Sequence, residues 1–354
     1  QIGSQEKSRY LLQLELELER LNPNIAIENL HYNVPIEGVS ESNSQVIERS
    51  PLIIARIEKY FKKHISASAL NTYLRCPLDF YYRYIAELGE ERGVEEDIES
   101  QQFGSLVHHV LEELYKPFAL YDSFGKEVQP KPKAVQSEDI TKMLKDYKSI
   151  LYNAFLAYFD NDEQLFLKGK NLISYTIAQD TLENTLKKEL VLLKGLKEDL
   201  FIVQVEAKKT MRLELMVHGE KREVSFTGYI DRIDKIGNNY RVIDYKSGKV
   251  KDQDVKFSEK ENPILTFSKC KHAVQLAMYS LFLKDSFGCY PSEASIFSIT
   301  DIKQLSYSLH SDSHSLEEIS NLFKKFLERL LEEIFDETQP IEHSEDSKYC
   351  NYCQ

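Results

Sequence analysis

The chain has 354 residues, of which 45 are Lys or Arg and 57 are Asp or Glu, giving a formal charge of −12. Its 42% hydrophobic and 29% charged content is that of a globular protein and excludes a disordered, collagenous or disulfide-scaffold chain. No apolar run reaches the ~18 residues of a membrane helix and no charged-then-apolar leader opens the chain, so no membrane partner is expected.

Apolar spacing predicts a helix over 7–21, stopped by Asn22-Pro23. Residues 24–50 read as loop with short extended pieces, and 53–63 as a helix. A second helix starts at Ser66 or Ser68, either of which can cap it, and Pro77 breaks the pattern just after Cys76. An acidic run follows between Glu87 and Glu99. The next helix, 104–115, carries an apolar stripe of Leu106, Val107, Val110, Leu111 and Leu114. A Pro- and Gly-containing loop leads to a Lys-rich amphipathic stretch over about 138–200. It holds no chemical motif and reads as an insertion or a channel wall, not a catalytic element. From Phe201 the pattern turns to strands, over 201–206, 210–217, 223–236 and 240–245. A helix over 271–284, a strand over 294–299 and a helix over 315–335 close the chain. This order predicts an α/β protein, a mixed central sheet flanked by helices with a helical insertion.

Two strands meet at Gly237-Asn238-Asn239, a turn signal. With Gly237-Asn238 as a two-residue turn, partners sum to 475, which sets Asp231 opposite Asp244, with Lys246 on the same face. Two carboxylates and an ammonium on one face have two readings. One is a divalent-cation site with a lysine that orients water and offsets negative charge. The other is an exposed hairpin with cross-strand ion pairs. Val242, Ile243 and Tyr245 mark the strand as buried and favour the first, because buried charges need partners or metal. Basic clusters at Lys208, Lys209 and Arg212, at Lys246, Lys249 and Lys251, and at Lys269 and Lys271 read as solvated faces when taken alone.

Gly228-Tyr-Ile-Asp231-Arg followed by Ile243-Asp244-Tyr-Lys246-Ser-Gly resembles the active-site hairpin of the PD-(D/E)xK nuclease superfamily in its RecB-like branch. Three further segments resemble that family in the same order. They are the Gly104-x-x-x-His108 helix, the Gln275-x-x-x-Tyr279 helix, and the Ser66–Tyr81 stretch, which is similar to the opening segment of AddB-type nuclease domains. The resemblance implies a restriction-endonuclease-like core over 65–354, preceded over 1–64 by a linker and the tail of a helicase-like module. It implies that Asp231 and Asp244 hold Mg²⁺ or Mn²⁺, with the Tyr245 carbonyl and His108 as further ligands. Lys246 then positions water, and Gln275 and Tyr279 contact a phosphate or steady Lys246. Glu206 is an additional acidic candidate. Without the family, His108 reads as a surface histidine beside His109, and Gln275 with Tyr279 as a solvated amide beside a core ring. The function implied is a metal-dependent DNA nuclease, an exonuclease of end resection and recombinational repair with a helicase or nuclease partner. A non-catalytic DNA-binding or scaffolding module and an RNA-directed nuclease of the same fold are the alternatives.

Five cysteines, an odd number, point to a reducing compartment and a cytoplasmic location. The resemblance implies an iron–sulfur (4Fe-4S) cluster on Cys76, Cys350 and Cys353, with three of the usual four thiolates present: either the fourth belongs to an intact parent protein or the cluster is absent, and zinc, which lacks the same ligand, is the less favoured alternative. Cys76 is then expected to meet the Cys350/Cys353 pair in space. Cys270 and Cys289 read as packing residues. The start at Gln1 without Met and the end just past Cys353 give the expectation of a piece of a longer polypeptide. P-loop, Gly-x-Ser-x-Gly and Gly-x-Gly-x-x-Gly patterns are absent from the sequence.

Overall fold

A computed structural model describes residues 46–88, 98–257, 263–270, 272–301 and 303–344, together with Gln13, Leu14, Glu17, Leu18, Leu21, Asn22, Ser347 and Cys350. For residues 263–265 it describes the main chain alone. The chain divides into two compact units, Gln1–Asn43 and Ser44–Gln354. In the first, Gln13, Leu14, Glu17, Leu18 and Leu21 are helical, in line with the helix expected over 7–21, whose other residues lie outside the described set. The acidic run from Glu90 to Asp97 also lies outside it.

The second unit is built on a six-stranded mixed sheet. β2 (Leu200–Val217), β3 (Glu220–Ile236) and β4 (Asn239–Lys246) form an antiparallel meander. β4 then pairs in parallel with β5 (Glu293–Ser298), and β5 pairs antiparallel with β6 (Ser306–Ser308). The short β1 (Ile65–Ser66) joins β3 in parallel. The sequence breaks of the meander are conformational. His218 and Gly219 both have positive φ, 50° and 79°, as a two-residue turn between right-twisting strands requires. Gly237 turns the second hairpin at φ 57°.

Each face of the sheet is buried by its own set of helices. On one face Ile230, Ile233, Val242 and Ile296 pack with α2 (Ala67–Arg75), α8 (Ala273–Phe287) and α9 (Leu316–Ile334). On the other, Ile202, Ile243, Tyr245 and Phe297 pack with α4 (Ser100–Tyr115), α5 (Ser137–Tyr158) and α6 (Gly169–Gly195). Val242 and Ile243 go to opposite cores, as alternation along a strand requires. The layered, mixed α/β arrangement expected from the sequence is the one observed. Remaining helices are α1 (Pro51–Phe61), α3 (Pro77–Phe80) and α7 (Pro263–Lys269). α1 packs on the C-terminal helix end, with Phe61 and Phe335 rings 5.2 Å apart.

Local chemistry sets the element ends. Ser66 caps α2, its side chain accepting from the Ala69 N–H at 3.2 Å, so Ser66 and not Ser68 is the cap. Pro77 occupies the first turn of α3, where its missing N–H has no intrahelical partner to lose. Ser315 and Glu318 form a capping box on α9, and Gly288 ends α8 at φ 74°. The helical stretch expected over about 138–200 is two helices, parted where Asp160 and Asn161 take φ of 50° and 68°, a conformation these short polar residues tolerate. They also wall the sheet, with Tyr147, Phe155 and Leu186 in its core. The strands expected at 201–206 and 210–217 are one continuous β2 with an irregularity between Ile202 and Gln204. The helix expected from 271 begins at Ala273.

Candidate active site

The β3–β4 register is the one the turn dictates: Ile236 pairs with Asn239, Asp234 with Arg241, and Arg232 with Ile243. The ladder ends there, one step short of Asp231 and Asp244. At that step the strands part, and the Tyr245 N–H donates to Asp231 Oδ2 at 2.6 Å. Asp231 is thus held by the main chain of the opposite strand while its carboxylate looks out of the sheet end.

Three elements bring donors to that point. His108, on α4, sets Nδ1 3.6 Å from Asp231 Oδ2, and its ring packs edge-on against Tyr245 at 5.8 Å. Glu206, on β2, lies across from Asp231, between the pairs Val205↔Arg232 and Ala207↔Ile230. It takes φ 45°, a left-handed backbone that a non-glycine residue adopts at a cost, and a frequent mark of functional sites. One donor atom from each of His108, Glu206 and Asp231 falls within 4.8 Å of the others.

Asp244 adjoins this group from β4. It is 2% exposed and forms an ion pair with Lys246 Nζ at 2.8 Å. Gln275 Nε2 donates to Asp244 Oδ1 at 2.7 Å and to the Tyr279 hydroxyl at 2.6 Å. That hydroxyl lies as a donor 2.6 Å from the Tyr229 carbonyl and 3.2 Å from Asp244 Oδ1. Gln275 and Tyr279 thus grip Asp244 and reach Lys246 only through it, since Lys246 pairs with the other oxygen of the same carboxylate. The i, i+4 spacing does put both on one face of α8.

Electrostatics follow from this crowding. Burial, then Glu112 and Asp244, push the Glu206 carboxyl up to about 7. Burial, then Asp244 and Glu206, hold Asp231 well above the carboxylate range, against the pull of Lys246 and the Tyr245 N–H. Burial alone would lower Lys246, but Asp244 and Asp231 outweigh it and keep the ammonium charged above its ordinary value. Burial lowers His108, so its imidazole is neutral at pH 7 and keeps a lone pair to offer. The carboxylates of Glu206 and Asp231 with the neutral His108 imidazole, and Asp244 beside them, offer the oxygen-rich chemistry that suits Mg²⁺ or Mn²⁺.

A second tier of residues holds the hairpin. Arg232, 1% exposed, donates from one nitrogen to Glu189 Oε1 at 2.9 Å and to the Tyr245 hydroxyl at 2.7 Å. Its Nε meets Asp234 Oδ1 at 3.0 Å, its guanidinium lies 4.3 Å over the Tyr115 ring, and Arg241 shares Asp234 at 2.7 Å. Glu189 comes from α6, a helix without any motif in sequence. Its charge is spent on Arg232.

The cysteines meet as expected in part. Cys76, His343 and Cys350 bring donor atoms within 4.8 Å of one another. Cys353 lies outside the described residues. Among the described residues the donors are two thiols and an imidazole, where a 4Fe-4S cluster takes four thiolates. Cys270 is buried and its thiol donates to the Asp254 carbonyl.

The family model of the PD-(D/E)XK nuclease superfamily matches residues 64–354. The chain belongs to that superfamily. A curated relative, one of the subunits of the ATP-dependent helicase/deoxyribonuclease of Carboxydothermus hydrogenoformans, is 28% identical over 203 residues. The match covers 53% of this chain and 16% of that protein, so the chain spans a small part of the relative's length. A crystal structure from Eubacterium rectale, named provisionally as an exonuclease, aligns with a TM-score of 0.40 at 11% identity. It covers 84% of this chain and 89% of that one, too loose a likeness to carry a functional argument. Among the described residues no helix is long and apolar enough to cross a membrane.

Proposed function

We propose that the chain is a metal-dependent deoxyribonuclease, an exonuclease that acts on DNA ends in resection and recombinational repair. The observation that carries this reading is the convergence of Glu206, Asp231, Asp244, His108 and Lys246 at the open end of the β3–β4 hairpin. Asp231, Asp244, Glu206 and His108 are the residues that would hold Mg²⁺ or Mn²⁺, with the Tyr245 carbonyl beside them. The ion, when bound, supplies Lewis acidity at a phosphoryl oxygen and a lowered pKa for water.

The chain's own groups do the rest. Lys246 is an ammonium in the metal-free chain, where Asp244 and Asp231 raise it against the pull of burial. It orients the attacking water and offsets charge developing on the phosphate. Gln275 and Tyr279 fix the rotamer of Asp244, which keeps its second oxygen aimed at Lys246. A groove of about 500 Å³ runs on from Lys246 and Gln275 past Asn71, Arg75 and Lys269. Its cations and amides suit the phosphates of a strand flanking the scissile bond. Residues 1–64 are assigned to the tail of a preceding helicase-like module and a linker, and a separate helicase or nuclease chain is the partner this implies. Cytoplasmic location goes with this reading.

The test is cleavage of end-labelled linear DNA, closed circular DNA and RNA of the same sequence with Mg²⁺. Release of nucleotides from linear DNA, with circle and RNA intact, is expected. Cleaved RNA with intact DNA would reverse the substrate assignment, and binding without cleavage of any of them would make the chain a scaffold.

Metal binding must also displace protons. Glu206 and Asp231 hold theirs more tightly in the folded chain than in the unfolded one. For Glu206 that contribution to stability is complete below pH 4.5 and is lost as pH rises through about 7. The metal-free chain therefore loses stability over this window, and the ion restores it where the carboxylates are charged. Thermal unfolding with and without Mg²⁺ should show a larger rise in Tm at pH 8 than at pH 6. An equal rise at both would contradict the protonation assigned to these groups.

A further inference from the structure

Cys76 sits at the corner between α2 and α3, its main chain extended at φ −160° and ψ 112°. His343 and Cys350 belong to the segment that follows α9. Cys76 Sγ lies 3.4 Å from His343 Nδ1, although the two are 267 positions apart in sequence. Cys76 and Cys350 are both buried, 0% and 3% exposed. The tail is drawn in beside them by the bridge between Ile341 and Ile47.

The spacing distinguishes two kinds of centre. A single tetrahedral ion with bonds of about 2.3 Å to sulfur and 2.0–2.1 Å to nitrogen sets its donors about 3.5–3.8 Å apart. The Cys76–His343 separation of 3.4 Å is close to that edge, and all three donors stay within 4.8 Å. A 4Fe-4S cluster seats each thiolate on a different iron, which spreads the sulfurs around a whole cube of metal and sulfide. It also takes four thiolates, where this site places an imidazole. We infer that Cys76, His343 and Cys350 hold a single zinc-class ion in place of an iron–sulfur cluster.

Cys350-Asn-Tyr-Cys353 has the two-residue spacing common in structural zinc sites, so the sequence offers a further thiol of the same kind. Cysteine sulfur with imidazole is the donor chemistry of structural zinc sites. The binding free energy of such an ion adds to folding. The ion pins the C-terminal segment to the α2–α3 corner and closes a loop of most of the chain, where the entropy removed from the unfolded state is large.

The test is the metal content of the full chain, purified anaerobically so that iron is retained, followed by Co²⁺ titration of the stripped protein under reduction. About one zinc per chain and no visible absorption are expected. Co²⁺ should give the strong absorption of a tetrahedral thiolate site. His343→Ala should weaken Co²⁺ binding at least about tenfold, and His343→Cys, which keeps a soft donor in place, should restore it. The rescue separates loss of a ligand from loss of the fold. A brown chain with about four irons, a His343→Ala chain that binds as the parent does, or a chain that takes up neither metal would each overturn the inference.

Discussion

Asp244→Asn should lower phosphodiester cleavage at least about a thousandfold, roughly 4 kcal/mol of transition-state stabilisation, while DNA binding holds or tightens. The side chain keeps its shape, so Gln275 retains an oxygen to donate to and the buried site does not collapse. What goes is one negative charge. With it go the ion pair that positions Lys246 at 2.8 Å and a carboxylate of the proposed metal site. Removing that charge also lessens repulsion of the phosphate backbone, which is why affinity is not expected to fall. Parallel binding and single-turnover assays separate the two effects. Cleavage within tenfold of the parent would remove Asp244 from the machinery.

Glu189→Ala should destabilise the fold by about 3–5 kcal/mol, the usual cost of stripping one partner from a buried ion pair. Arg232 and Glu189 are 1% and 6% exposed, so water does not replace the lost carboxylate. Asp234 is already shared with Arg241 and neutralises Arg232 only in part. Because Arg232 also holds the Tyr245 hydroxyl, and the Tyr245 N–H holds Asp231, the loss is expected to loosen the hairpin as well. Glu189→Gln keeps a hydrogen-bond acceptor and should cost less. Urea denaturation measures both, and a loss under about 1 kcal/mol for the alanine variant would show that the network is not a brace.

The site's hairpin was legible because a two-residue turn leaves no freedom of register: Gly237-Asn238 fixes which residues oppose each other, down to Arg232 and Ile243. The opening of the ladder at Asp231 was not legible, since it depends on the competition between a main-chain bond and a carboxylate for the Tyr245 N–H. Glu206 was visible as an acidic residue near a strand end. Its role opposite Asp231 depends on a long antiparallel pairing and on a left-handed φ, neither of which has a local signal. Glu189 lies in a Lys-rich amphipathic helix where one more acid looks solvated, and only the packing of α6 on the sheet shows it buried. His343 carries no sequence spacing to Cys76 at all. Short elements such as α7 and β6 were missed because a few residues cannot display a period.

Asp231, Asp244 and Lys246 stand at the centre of the proposed metal-dependent cleavage, and Lys246→Ala tests that role most directly. Lys246 is partly exposed, and Gln275 and Tyr279 still hold Asp244 once it is truncated, so the variant is expected to fold with some loss of stability, which circular dichroism checks. The measurement is the initial rate of nucleotide release from end-labelled linear DNA at fixed Mg²⁺, for the parent, the parent with EDTA, and Lys246→Ala. Release by the parent alone is predicted, with both other rates near background. Release at the parent's rate in EDTA or by the Lys246→Ala chain would contradict the proposed site.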